Sequence, residues 1–480
     1  MKKQTKVLLA AAMLTLGASF SAMAAETKGT WVLNEEGWQY ADKDGDYMDN
    51  VWAKSNGIEY WVNDDEVLGS NEWVQDDKGY YYYAQSDGSK TMNAWKYLYS
   101  FNDEDEENDQ YWYYFDAKGR MVTGKETING STYHFNTNGE MLTGWVEEVV
   151  NGDEKTYEEA TENSAVGSVI YTNENGAVVK SSWINVFPWT EDDGYEGEDE
   201  VWYYTTSAGK VEKNKKKDIA GLTYFFDANG AMLTEWVGKD YAGNFTEIDA
   251  ADSANYAEVY FADADYGYAK KNGWRFLESA DEDDEFWFHF DKLGRAFLAT
   301  ATDAVDATSM IFDNGETNKI DEDETVKVNS KKIDGVVYYF NTQGEMIDGL
   351  QTIDGTLYYL EDGARQTGKV TLTDENENDY TFLFGEKKDG DVQKYVAVTG
   401  AYKNYYYSKG QLITSDDKDS YKMVEAGEAG IAGNYIVDHN GKIQHKDGKD
   451  YAVVWGEGTG KYTFHADEDF ITGVYVEDAE

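Results

Sequence analysis

Aromatic side chains are the residues here whose type and spacing can do chemistry: 15 Trp, 39 Tyr and 20 Phe stand in 480 residues. Few Leu or Ile accompany them, although branched aliphatics normally build a compact core, so the bias points to flat, half-exposed aromatic surfaces. Trp residues bracket acidic stretches: Trp95 and Trp112 around Asn102 to Asp109, Trp183 and Trp202 around Glu191 to Glu200, Trp274 and Trp287 around Asp281 to Glu285. A quaternary ammonium over a Trp or Tyr face gains about 0.5–2 kcal/mol per ring, and sugar rings stack on the same faces through their C–H groups. Each contact is weak, and many along one chain give avidity. The same rings would equally close a core between repeats.

These side chains have to be positioned by a repeated element. Tyr113-Tyr114-Phe115-Asp116-Ala117-Lys118-Gly119-Arg120-Met121 recurs as Tyr133 to Met141, Tyr224 to Met232 and Tyr338 to Met346. Asp or Asn opens a turn by capping its own backbone, Gly supplies the positive φ three residues later, and the flanking aromatics suit strands. Each unit therefore reads as a short β-hairpin. Gly119 and Gly139 lie 20 residues apart, Gly209 and Gly230 21, Gly344 and Gly363 19. A hairpin of this size cannot bury its aromatic face alone, so the expected fold is all-β, a solenoid of about sixteen stacked hairpins, each roughly 20 residues long. The repeats are expected over residues 25–370, with degenerate terminal repeats or a small β domain over 371–480. The acidic stretches read as solvated loops rather than calcium sites. The cluster Asp42, Asp44, Asp46 and Asp49 likewise reads as an acidic turn, because Gly45 sits where an EF-hand loop does not want it.

These units resemble the cell-wall-binding repeats shared by choline-binding, glucan-binding and clostridial-toxin-type domains. The runs Met121 to Trp145 and Met346 to Gly355 are closest to that pattern. The resemblance implies a left-handed β-hairpin solenoid with ligands held between neighbouring hairpins, choline-type groups or glucan among them. It also implies which residues would hold them: Trp95, Trp112 and Met121 with Tyr133 or His134; Trp145; Trp183 and Trp202 with Tyr224 or Phe225; and Trp274 with Trp287. Strand alternation decides which aromatic faces each pocket. Trp145 alone sits in a full Thr-Gly-Trp step, Trp236 follows Glu235 where Gly is expected, and Lys125 and Lys369 replace the Trp.

Composition bounds the rest. Lys2, Lys3 and Lys6, the apolar run from Val7 to Phe20 and Ala22-Met23-Ala24 predict a secretory signal peptide over residues 1–24. Without those three Lys, 93 acids face the remaining 39 of 42 bases, a formal charge of −54. Such a field opposes nucleic acid and anionic membrane surfaces and favours cations and neutral glycans. The absence of Cys removes disulfides and thiol chemistry, and no other apolar run is long enough to span a membrane. Five scattered His lack zinc spacing. No Gly-x-Ser-x-Gly elbow, phosphate loop or dinucleotide fingerprint occurs. The expectation is therefore no enzyme, no cofactor and no metal, but a secreted, cell-wall-associated protein whose partner is a cell-wall polymer or surface glycan. The alternatives are an extracellular structural or adhesive rod that contacts a host or surface protein, and a targeting subunit for an enzyme on another chain.

Overall fold

A computed structural model describes residues 29–101, 110–189, 200–278, 285–300, 302–313, 316–374, 376–416, 418–425, 434–444, 450–455, 458–466 and 471–476. The expected signal peptide and nearly all of the three acidic inserts lie outside the described residues.

The architecture is all-β, a succession of short antiparallel hairpins. Ala94–Tyr99 pairs with Gln110–Phe115, Gly124–Ile128 with Ser131–Phe135, and Gly273–Glu278 with Glu285–Phe290. Turn chemistry follows the sequence. Asp116 Oδ1 accepts the N–H groups of Lys118 and Arg120 at 2.8 and 2.9 Å, Asn136 Oδ1 those of Asn138 and Glu140, and Asn341 Oδ1 those of Gln343 and Glu345. Asp42 does the same for Asp44 and Asp46, so that acidic cluster is a turn in the described structure.

One recurrent backbone bond joins many of the described hairpins to the one before. The residue two positions after the turn donates its N–H to a strand carbonyl of the preceding hairpin: Lys90 to Glu59, Met121 to Tyr81, Met141 to Trp112 and Met232 to Trp202, at 2.7–2.9 Å. Ala296 to Val259 and Met346 to Trp287 repeat it at 2.8 and 2.9 Å. The side chain of the same residue packs beneath the next turn. A Cβ at Gly139 would lie 2.5 Å from Met121 Sδ, so this glycine supplies both its φ of +77° and the missing side chain.

Two compact units divide the chain. The first comprises residues 1–214 and 228–232, the second 215–227 and 233–480. The first is a run of hairpins with small aromatic cores between them, such as Trp61, Val74 and Ala84 with Trp52 and Tyr82. The second begins with similar hairpins. It then widens into a six-stranded sheet built on the long strand Glu316–Ile333, a five-stranded sheet from Gly368–Thr373 to Gln411–Leu412, and a last five-stranded sheet in which Tyr421–Glu425 runs parallel to Asp450–Trp455. Residue 371 itself lies within this second unit, in the strand Gly368–Thr373.

Candidate aromatic binding steps

A first-strand Trp is the keystone of several of the described junctions between hairpins. Trp73 meets the cross-strand Tyr83 at 5.4 Å between ring centroids and Tyr113 of the next hairpin at 4.9 Å. Trp95 meets Tyr114 at 5.1 Å and Tyr133 at 4.9 Å, and Trp145 meets Tyr171 at 4.9 Å and Tyr203 at 5.0 Å. In the second unit Trp274 meets His289 at 5.1 Å and Tyr338 at 4.8 Å. Most of these contacts are edge-to-face, the arrangement that the ring quadrupole favours.

Two of these steps, and the Trp183 step as well, present a second Trp outward. Trp112 is 45% exposed, Trp202 46% and Trp287 42%. Trp112 lies 6.5 Å from Trp95 and packs cross-strand on Tyr97 at 5.3 Å. Trp202 lies 6.3 Å from Trp183 and faces Asn185 across the hairpin. Trp287 packs on Phe276 at 5.2 Å, beside Trp274. In all three, the carbonyl of the outward Trp accepts the stacking bond from the next hairpin, from Met141, Met232 and Met346 respectively. The backbone is clamped while the indole face remains open.

Alternation settles which neighbour faces Trp95. Tyr133 and Phe135 share its side, at 4.9 and 5.7 Å. His134 points the other way, is buried, and stacks on Tyr157 at 4.3 Å with no hydrogen bond to either ring nitrogen among the described residues. Burial, reinforced by Lys125, lowers its pKa to about 4. Met121 is placed as a packing residue against Gly139. Tyr224 lies in the second unit, on Leu222–Phe226 opposite Lys217, while Phe225 points into the core against Tyr260 at 4.7 Å.

Other steps are closed by aromatics that nothing in the repeat pattern singles out. Phe101 covers Trp73 at 5.2 Å and stacks on Tyr81 at 4.2 Å, and the Trp73 indole N–H donates to the Tyr99 carbonyl at 3.1 Å. Trp189 covers Trp145 at 4.6 Å, and the Trp145 N–H donates to the Phe187 carbonyl at 2.8 Å. Trp145, expected as a ligand residue, thus lies in a covered step. Trp236 is buried against Phe288 at 4.8 Å; Glu235 takes φ +53° where Gly144 takes +73°. A cleft of about 530 Å³ beside Trp236 is bordered by Glu235, Glu247 and Asp249, and burial, with the charges of Glu235 and Asp249, raises the Glu247 pKa. No group of three or more His, Asp or Glu able to hold a metal occurs among the described residues, and no described helix is long and apolar enough to cross a membrane.

Parts of the chain match known repeat families. Residues 122–183 match the "Choline-binding repeat", and residues 71–90, 106–121 and 331–346 match the "Putative cell wall binding repeat". Glucosyltransferase-S of Streptococcus mutans is 23% identical over 359 residues, covering 73% of this chain and 21% of that protein. Glucosyltransferase-I of Streptococcus downei is 25% identical over 378 residues, covering 70% and 22%. The chain therefore spans about a fifth of the length of these curated relatives. Among solved structures, CbpJ of Streptococcus pneumoniae aligns with a TM-score of 0.38 and 20% identity over 68% of this chain and 98% of that one.

Proposed function

We propose that this chain, which carries choline-binding and cell wall binding repeats, is a secreted, non-catalytic protein that holds a cell-wall polymer or surface glycan on its open aromatic steps. One observation carries the reading: Trp112, Trp202 and Trp287 occupy the same place in three hairpins, each fixed by the same backbone bond and each turned to solvent. A large indole normally buries itself, so three equivalent open faces on clamped backbones favour a stacking surface. Such faces take a sugar ring or a quaternary ammonium, and repetition supplies the avidity that one step lacks.

The ligand-binding residues are Trp95, Trp112 and Tyr133 at the first open step, Trp183 and Trp202 at the second, and Trp274 and Trp287 at the third. Retention of the purified chain on cell walls, choline resin and α-glucan tests the reading. Retention on at least one, released by the soluble ligand, is the expected result; passage through all three contradicts it. A second reading, a structural or adhesive rod that contacts a host or surface protein, is favoured by the closure of Trp73 under Phe101 and of Trp145 under Trp189. Under that reading no ligand changes Trp fluorescence.

A further inference from the structure

The position two residues after the turn Gly is Met at residues 121, 141, 232 and 346, Val at 178 and 211, Leu at 412, Ile at 443, Ala at 269 and 296, and Tyr at 47. At two places it is a cation: Lys90 after Gly88, and Arg365 after Gly363. Lys90 keeps the backbone role of the position, donating its N–H to Glu59 O at 2.8 Å, and its stem packs under the next turn, where a Cβ at Gly119 would lie 2.7 Å from Lys90 Cδ. Its ammonium lies 4.3 Å from the ring centroid of Trp52 and 4.9 Å from that of Tyr82. Glu59 Oε2 sits 2.6 Å away, and the Lys90 side chain is only 8% exposed. Arg365 is surrounded likewise in the second unit, 5.2 Å from Tyr339, 5.0 Å from Tyr358 and 5.7 Å from Tyr395.

Two aromatic faces at these distances, with a carboxylate at hydrogen-bond range, form a complete recognition site for an ammonium ion. That site is filled from within. We propose that Lys90 is a built-in occupant of the Trp52–Tyr82 step, so that this step takes no external cation, and that Lys90→Met exposes a site for a small quaternary ammonium. Methionine is the residue that the fold already carries at four equivalent positions. Without Lys90, Glu59 faces the rings with no ammonium beside it and adds charge attraction for an incoming cation. Arg365 occupies the Tyr339–Tyr358–Tyr395 step in the same way. The substitution thus sets how many steps of this chain accept a cationic group, an inference that rests on reading the steps between hairpins as binding sites.

The test is a titration of the full chain and its Lys90→Met variant with tetramethylammonium, followed by calorimetry and by the ring-proton NMR signals of Trp52. Lys90→Met is expected to bind one more equivalent than the wild type, and adding Glu59→Gln to weaken that extra site at least tenfold. A folded Lys90→Met variant with the wild-type stoichiometry overturns the inference. An independent reading needs no variant fold: in ¹³C-lysine-labelled wild type, the Lys90 ε-methylene protons are expected well upfield of the other lysines through the ring currents of Trp52 and Tyr82, and a shift within the common lysine range overturns it. If the wild type binds no tetramethylammonium while Lys90→Met gains a site, the inference stands and the cationic reading of the open steps fails.

Discussion

The backbone N–H of Met141 donates to the carbonyl of Trp112 at 2.9 Å, tying the turn of one hairpin to the strand of the hairpin before it. The bond fixes the main chain of an outward-facing indole without touching its ring. Met232 and Trp202, and Met346 and Trp287, repeat the pair at 2.8 and 2.9 Å. Stacking and presentation are thereby one device: the bond that joins two hairpins also fixes the backbone of the outward indole.

The turn glycines separate two effects. Gly130 has φ +88° with nothing within 4 Å of an added Cβ, whereas Gly139 has φ +77° and meets Met121 Sδ at 2.5 Å. Gly130→Ala should destabilise by about 1 kcal/mol through backbone strain alone. Gly139→Ala should cost about 2–4 kcal/mol, because the turn must also move off Met121. Urea unfolding of the two variants measures the difference; equal midpoints would show that the close approach of Met121 is unimportant.

Acid should loosen the first unit through His134. Its folded pKa is about 4, below the ordinary 6.5, because burial disfavours the imidazolium and Lys125 adds to this. The unfolded chain therefore takes up a proton that the folded one refuses. The stabilisation is fully present above about pH 6.5 and is lost as pH falls toward 4, amounting to on the order of 3 kcal/mol. His134→Phe keeps a ring on Tyr157 and should remove this part of the pH dependence. Unfolding midpoints measured at pH 7 and pH 4.5 check it, and an unchanged pH slope in the variant would contradict it.

Opening a covered step should be visible spectroscopically. Phe101→Ala removes the ring that lies on Trp73 and Tyr81. Acrylamide quenching of Trp fluorescence should rise, by about one additional accessible indole, and stability should fall by about 2–4 kcal/mol. No change in quenching would mean that Trp73 is accessible already.

Much of this design is legible in the residues themselves. Asp116, Asn136 and Asn341 announce their turns, because an Asx cap acts on its own next four residues and needs no distant partner. The aromatic runs announce strands for the same local reason. The choice between Tyr133 and His134 is not legible, since it depends on the parity of the strand relative to a neighbouring hairpin. Nor is the closure of Trp73 and Trp145: their indole N–H groups bond to Tyr99 and Phe187, 26 and 42 residues further on. Met121 shows the limit most clearly. Its place after the turn is plain in sequence, but its packing under Gly139 exists only once two hairpins are stacked.

Salt should separate stacking from charge. With 51 net negative charges on the whole chain, an ionic mode of wall binding would respond steeply to ionic strength. Stacking on Trp faces should leave affinity within about twofold between roughly 50 and 500 mM salt, because the screening length falls from about 14 Å to about 4 Å without touching a van der Waals contact. A tenfold or larger change in retention on walls across that range would assign recognition to charge.

Binding by the outward indoles, and not by the covered ones, is what the proposed function rests on. Its most direct measurement is the affinity for purified cell walls of two variants: one with Trp112→Ala, Trp202→Ala and Trp287→Ala combined, and one with Trp145→Phe, a change within a covered step. At least a tenfold loss is expected in the triple variant, with unchanged β-sheet circular dichroism, and less than a twofold change for Trp145→Phe. Wild-type affinity in the triple variant, or a loss confined to Trp145→Phe, would contradict it.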